Sequence, residues 1–130
     1  MRRTVFGVVA MTNAFVPALR RSEHPRIVNV SSSTGSLTVS SAHSGGYAAY
    51  RSSKTALNAL TVFYAHALAE HGIKVNALAP GLRRTDLNAT AAASGGDPAE
   101  AAHGVVRLAL LPDDGPTGAF ISWDGTPVPW

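Results

Sequence analysis

Two short runs constrain the fold most: Arg26-Ile27-Val28-Asn29-Val30 and Lys74-Val75-Asn76-Ala77-Leu78. Both are too short for a helix of ordinary length, and the first is rich in β-branched residues, so each reads as a buried strand. Helical periodicity surrounds them. Ahead of the first run, Val5, Val8, Val9, Thr12, Phe15, Val16 and Leu19 recur at i, i+3, i+4 and i+7, giving one apolar stripe. Between the runs the period returns over residues 47–71, with Ala56, Leu57, Leu60, Phe63, Ala67 and Leu68 on one side and Gly72 placed as a C-terminal cap. Asp97-Pro98-Ala99-Glu100 signals a third helix, with Asp97 as N-cap, Pro98 at the first helical position and Glu100 completing a capping box. Residues 117–122 supply a third strand. The order α-β-α-β-α-β predicts right-handed crossovers and a parallel sheet, an α/β fold. Three parallel strands are few, and such sheets are normally covered on both faces. Residues 1–130 therefore read as a single partial domain, one side of a larger doubly wound sheet whose amino-terminal half is absent.

The intervening segments are less regular. Residues 31–46 hold seven serines, two threonines and three glycines and follow neither period, so a long loop is expected. Residues 82–96 carry turn residues and an alanine tract without clear amphipathicity. Composition then excludes several classes. Hydrophobic residues make up 45% and charged residues 15%, enough apolar surface to bury a core. No cysteine occurs, which excludes a disulfide scaffold, a thiolate metal site and a cysteine nucleophile together. The net charge is +3, and the arginine pairs Arg2-Arg3, Arg20-Arg21 and Arg83-Arg84 are scattered rather than clustered with aromatics, so no nucleic-acid partner is expected. Met1-Arg2-Arg3 and the apolar residues after it imitate a secretory signal, but Thr12, Asn13 and Pro17 interrupt the run and the helical stripe accounts for it better. No stretch approaches the ~20 apolar residues of a membrane span. A cytoplasmic protein is expected.

Tyr50-Arg51-Ser52-Ser53-Lys54 is the sharpest chemical constellation. On a helix, residues four apart share a face, so Tyr50 and Lys54 project together. A free phenol titrates near ~10, and a neighbouring ammonium favours the phenolate, which suits acid–base work at neutral pH. Ser32 lies just past the carboxyl end of the first strand, where open α/β sheets place their ligands. Pro80-Gly81 follows the second strand at the same edge, and Thr85 comes four residues later.

Together these residues resemble the short-chain dehydrogenase/reductase family, with the closest look to bacterial carbonyl-reductase-like members. Tyr50 and Lys54 match its tyrosine-xxx-lysine motif. Ile27-Val28-Asn29-Val30-Ser31-Ser32-Ser33-Thr34-Gly35 matches its strand-to-serine segment, and Asn76-Ala77-Leu78-Ala79-Pro80-Gly81 matches its Asn-Ala-xxx-Pro-Gly stretch. The resemblance implies a partial Rossmann-type doubly wound sheet. It also implies an oxidoreductase that moves a hydride between NAD or NADP and a small-molecule carbonyl or alcohol substrate. Ser32, Tyr50 and Lys54 would be catalytic. Tyr50, Lys54, Pro80, Gly81 and Thr85 would hold the cofactor, with Thr85 at the nicotinamide, and Lys54 would also hold the nicotinamide ribose hydroxyls. Family members commonly build a subunit interface from helices matching residues 1–21 and 47–71, so a homo-oligomer is implied as well.

Three departures accompany the match. The family's glycine-rich cofactor turn is missing: no G-x-x-x-G-x-G occurs, and Gly35, Gly45 and Gly46 lie in the wrong place to replace it. Thr4 stands where the family often has an asparagine. The loop from Ser32 to Tyr50 is longer than is common. A second reading is accordingly a truncated, non-catalytic remnant or a dimerisation module. His43 near the site and the Arg83-Arg84 pair read as solvated, Trp123 and Trp130 as packed on the sheet or at a subunit contact, and no metal is expected because the histidines show no ligand spacing.

Overall fold

The computed structural model describes residues 1–41 and 46–130. The chain opens on a wide helical turn, Arg2–Phe6, that continues into α1 (Gly7–Leu19). β1 (Arg26–Val30) follows, then a single tight turn at Ser33–Gly35 and the short α2 (Leu37–Ser40). Next come α3 (Ala48–Ala67), β2 (Lys74–Ala79), the short α4 (Ala89–Ala92), α5 (Pro98–Ala109) and β3 (Phe120–Ser122). The strands form one parallel sheet in the order β1-β2-β3, with Arg26 opposite Lys74 and Ala77 opposite Phe120. The expected order of elements is observed.

Strand alternation divides the layers. Ile27, Val75 and Asn29 face α1 and α3: Ile27 and Val75 pack with Val16, Leu19, Ala65 and Leu68, and Asn29 Nδ2 donates to Thr61 Oγ1 at 2.9 Å. Residues of the opposite parity face α5, whose Gly104 lies against Leu78. A Cβ at Gly104 would come within 3.0 Å of Leu78 Cδ1, so the missing side chain is what lets α5 seat this closely. After β3, Gly125 turns the chain back at φ +94° and Val128 N donates to Phe120 O at 2.8 Å. Among the described residues β1 has one strand neighbour, β2.

Several expectations need correction. The serine-rich stretch is not structureless, because its serines act as caps. Ser32 Oγ accepts from Thr34 N and Ser36 Oγ from Val39 N, which closes the tight turn and starts α2. Asn88 Oδ1 does the same for α4 in a segment that shows no periodicity. The buried face of α3 is also rotated from the apolar stripe: Ser53, Leu57, Asn58, Thr61 and Ala65 are buried, whereas Phe63 is 64% exposed. Polar side chains can occupy this face because each finds a partner for its oxygen, although Asn58 Nδ2 is buried without a partner among the described residues. Ser53 Oγ donates to Tyr50 O, Thr61 Oγ1 donates to Leu57 O, and Ser31 Oγ donates to Asn58 Oδ1. On α1, Phe15 likewise stays 54% exposed although it belongs to the stripe. Asp97 does cap α5, its Oδ1 accepting from Ala99 N at 2.9 Å, but the Glu100 carboxylate binds Arg83 instead of closing a capping box. His43 and Gly45 lie outside the described residues.

Candidate active site

The carboxyl ends of β1 and β2 open onto one edge of the sheet, and the segments leaving them carry the candidate residues. Tyr50 sits in the first turn of α3 and Lys54 one turn later, so both share the face that the four-residue spacing predicts. The Lys54 ammonium lies 5.9 Å from the centre of the Tyr50 ring and donates to Val30 O at 2.9 Å, tying α3 to the last residue of β1. An ammonium has three donors, so two remain for a ligand. Burial holds Lys54 below the ordinary lysine range, because a half-covered cation loses part of its hydration. Tyr50 is 45% exposed.

Ser32 lies two residues beyond β1, half-buried, with its hydroxyl on Thr34: Oγ to Oγ1 is 2.8 Å, and Thr34 N donates to it at 3.3 Å. If both Thr34 groups donate, the Ser32 proton is free for a ligand oxygen. Among the described residues no hydrogen bond joins Ser32 to Tyr50. What anchors this turn is Gly35, whose role sequence reasoning missed. Gly35 O accepts from Thr55 Oγ1 at 2.9 Å, and a Cβ on Gly35 would stand 2.8 Å from both the carbonyl carbon and the Cβ of Lys54. The serine turn therefore rests directly on the α3 backbone at Lys54. The sequence signal was the place of Gly35 at the end of the strand-to-serine segment, three residues after Ser32.

The second loop leaves β2 through Pro80-Gly81. Gly81 has φ +68°, a conformation that favours glycine. Thr85 is exposed, and its side chain makes no hydrogen bond among the described residues. Asn76, whose motif suggested only a family match, is buried and structural. Its Nδ2 donates to Pro116 O at 3.0 Å and its Oδ1 accepts from Ala119 N at 2.9 Å, which fixes the approach to β3. Arg83 departs from the solvated pair expected of Arg83-Arg84. Its side chain is only 10% exposed and forms an ion pair with Glu100 at 2.7 Å, while Arg84 is exposed. The guanidinium also stacks over Trp123 at 4.1 Å, and Trp130 stacks on Phe120 with ring centres 5.1 Å apart. Both tryptophans are thus packed on residues of this chain.

The described residues thus combine a parallel α/β sheet, a Tyr/Lys pair on the helix after its first strand, a capped serine turn beside that pair and a Pro-Gly turn after its second strand. A profile described as short chain dehydrogenase matches residues 1–95. The chain belongs to this family. Salutaridine reductase of Papaver bracteatum is 35% identical over 88% of the chain, and (+)-neomenthol dehydrogenase of Capsicum annuum is 32% identical over 88%. Among solved structures, the carbonyl reductase Sniffer of D. melanogaster superposes with a TM-score of 0.84 at 28% identity over 99% of the chain. NADPH-bound carbonyl reductase from chicken fatty liver gives 0.78 at 31% identity over 94%. The chain spans about half the length of these relatives, 48% of each of the two sequence relatives and 55% and 52% of the two structures. No helix among the described residues is long and apolar enough to cross a membrane.

Proposed function

We propose that this chain carries the acid–base half of an NAD(P)-dependent oxidoreductase, in which a hydride passes between a nicotinamide and a carbonyl or alcohol substrate. The observation that supports it most is the Lys54 ammonium, bonded to Val30 O and facing the Tyr50 ring, on the residue whose backbone packs against the serine turn. The residues present fit the nicotinamide end of a dinucleotide: two free donors on a half-desolvated lysine, and a glycine turn at the exit of β2. No glycine-rich turn for the pyrophosphate occurs in the sequence. When bound, the dinucleotide supplies or accepts the hydride.

The chain's own residues handle the proton. In the reducing direction Tyr50 gives its phenolic proton to the carbonyl oxygen, and in the reverse direction it takes the proton from the alcohol. Ser32 donates a hydrogen bond to the same oxygen as charge develops on it. Lys54 favours the phenolate left on Tyr50 and holds the ribose hydroxyls, while Pro80, Gly81 and Thr85 line the nicotinamide side. The relatives named for reductase or dehydrogenase activity, one of them NADPH-bound, support a small-molecule substrate and either NAD or NADP. A homo-oligomer through residues 1–21 and 47–71 belongs to the same proposal.

Titration of the purified chain with NADH and NADPH, followed by nicotinamide fluorescence, tests the reading. Saturable binding lost in Lys54→Ala, with carbonyl reduction lost in Tyr50→Phe, is the expected result. A folded chain that binds neither nucleotide sinks the reading and leaves the non-catalytic alternative.

A further inference from the structure

We propose that Arg83 is a positioning residue for the nicotinamide end of the site, acting by clamping the Pro80-Gly81 turn; the inference rests on the function proposed above. The covered guanidinium reaches three elements, with hydrogen bonds to two of them and its flat face on the third. Nε donates to Pro80 O at 2.7 Å, Nη1 to Glu100 Oε2 at 2.7 Å in the first turn of α5, and the plane stacks over Trp123 just past β3. Trp123 is itself fixed: its N donates to Ala79 O at 2.9 Å, and its O accepts from Arg107 Nη2 at 2.5 Å. Arg83 thus binds the exit of β2 to the exit of β3 and the start of α5.

The turn depends on this tie because it has few others. Leu82, Arg84, Thr85, Asp86 and Leu87 are all exposed, and among the described residues Arg84 N to Gly96 O is the one backbone–backbone bond of residues 81–87. Gly81 lies beneath the clamp: a Cβ there would meet Trp123 Cδ1 at 3.1 Å and Arg83 Nη2 at 3.3 Å. The planar fork and the indole together set the direction of the Gly81 backbone and the path toward Thr85. A lysine could pair with Glu100, but it has neither the second donor arm for Pro80 O nor the flat face for Trp123. Arg83 need not touch a ligand. It holds the backbone that does.

The experiment compares wild type, Arg83→Met, Arg83→Lys, Glu100→Gln and Lys54→Ala by NADPH titration, with amide hydrogen exchange read on residues 81–85 and on α3. Arg83→Met should raise the NADPH dissociation constant about tenfold, the scale of one charge-assisted hydrogen bond. Glu100→Gln should cost less, and Arg83→Lys should restore only part of the loss. Exchange should quicken at residues 81–85 and not in α3, and NADPH should slow exchange at Gly81 in wild type but not in Arg83→Met. Wild-type affinity in Arg83→Met alongside loss in Lys54→Ala overturns the clamp and leaves the proposed function standing. A wild type that binds NADH alone is compared with the variants by NADH titration instead, and binding of neither nucleotide by wild type overturns both. Faster exchange throughout the chain in both Arg83→Met and Glu100→Gln overturns the clamp in favour of a general stabilising role.

Discussion

Gly35→Ala tests how the serine turn is held. The added Cβ would sit 2.8 Å from the carbonyl carbon and Cβ of Lys54 and 3.0 Å from Thr55 N, well inside contact distance. These obstacles are mostly helix backbone and cannot swing away, so the turn must lift and stretch the 2.9 Å bond from Thr55 Oγ1 to Gly35 O. Overpacking of this kind costs about 1–3 kcal/mol, and the weakened hydrogen bond adds about 1 kcal/mol. The expected destabilisation is therefore about 2–4 kcal/mol. Thr55→Val keeps the shape of the side chain and removes its hydroxyl, which Gly35 O shares with Arg51 O at 3.1 Å, so it should cost about 1 kcal/mol. Urea unfolding followed by far-ultraviolet circular dichroism measures both, provided the slope against denaturant stays constant. The difference between the variants is the steric part. Gly35→Ala within about 0.5 kcal/mol of wild type, or no worse than Thr55→Val, would refute the close packing of the serine turn on Lys54.

Two further predictions concern charge. The Asp113 carboxyl is held below the ordinary carboxylate range, first by the Arg26 hydrogen bond and then by that of His24. Its stabilisation is complete above the unfolded value near ~3.9 and is lost as pH falls through the lower folded value. The urea midpoint of Asp113→Asn should thus fall less steeply than that of wild type below about pH 4, and equal slopes would remove the effect. Burial lowers the Lys54 value, so the folded state penalises the ammonium, and wild-type stability should rise as pH climbs from that lowered value toward the unfolded one near ~10.4. Lys54→Met should lose both this alkaline gain and NADPH binding while being no less stable at pH 7. A clearly less stable Lys54→Met would mean that the bond to Val30 O outweighs the desolvation it accompanies.

Much of the scaffold was readable one element at a time. The β-branched run marks β1 to the residue, and Pro80-Gly81 stops β2 one residue later than expected. The helical spacing of Tyr50 and Lys54 is a local property and survives in the fold. The serine caps of the tight turn and α2 were legible in principle but hidden by the number of serines competing for that role. Which face of α3 goes inward was not legible, because its burial follows partners on β1 and just past it: Asn29 and Ser31 meet Thr61 and Asn58 only once the helix lies on the sheet.

Sequence alone determined the alternation of strand and helix, the parallel sheet it requires, and the residue types gathered at the strand ends. These depend on periodicity, turn chemistry and the four-residue pitch of a helix, all of them short-range. Tertiary structure alone decided the burial of Arg83 against Trp123 and Glu100, the contact of Gly35 with Lys54, and the use of Asn76 as a brace for β3. Each of those joins residues 17 to 43 positions apart or closes a gap of less than 3 Å. Whether a polar side chain is solvated or buried there depends on what the folded chain brings opposite it, and no local pattern records that.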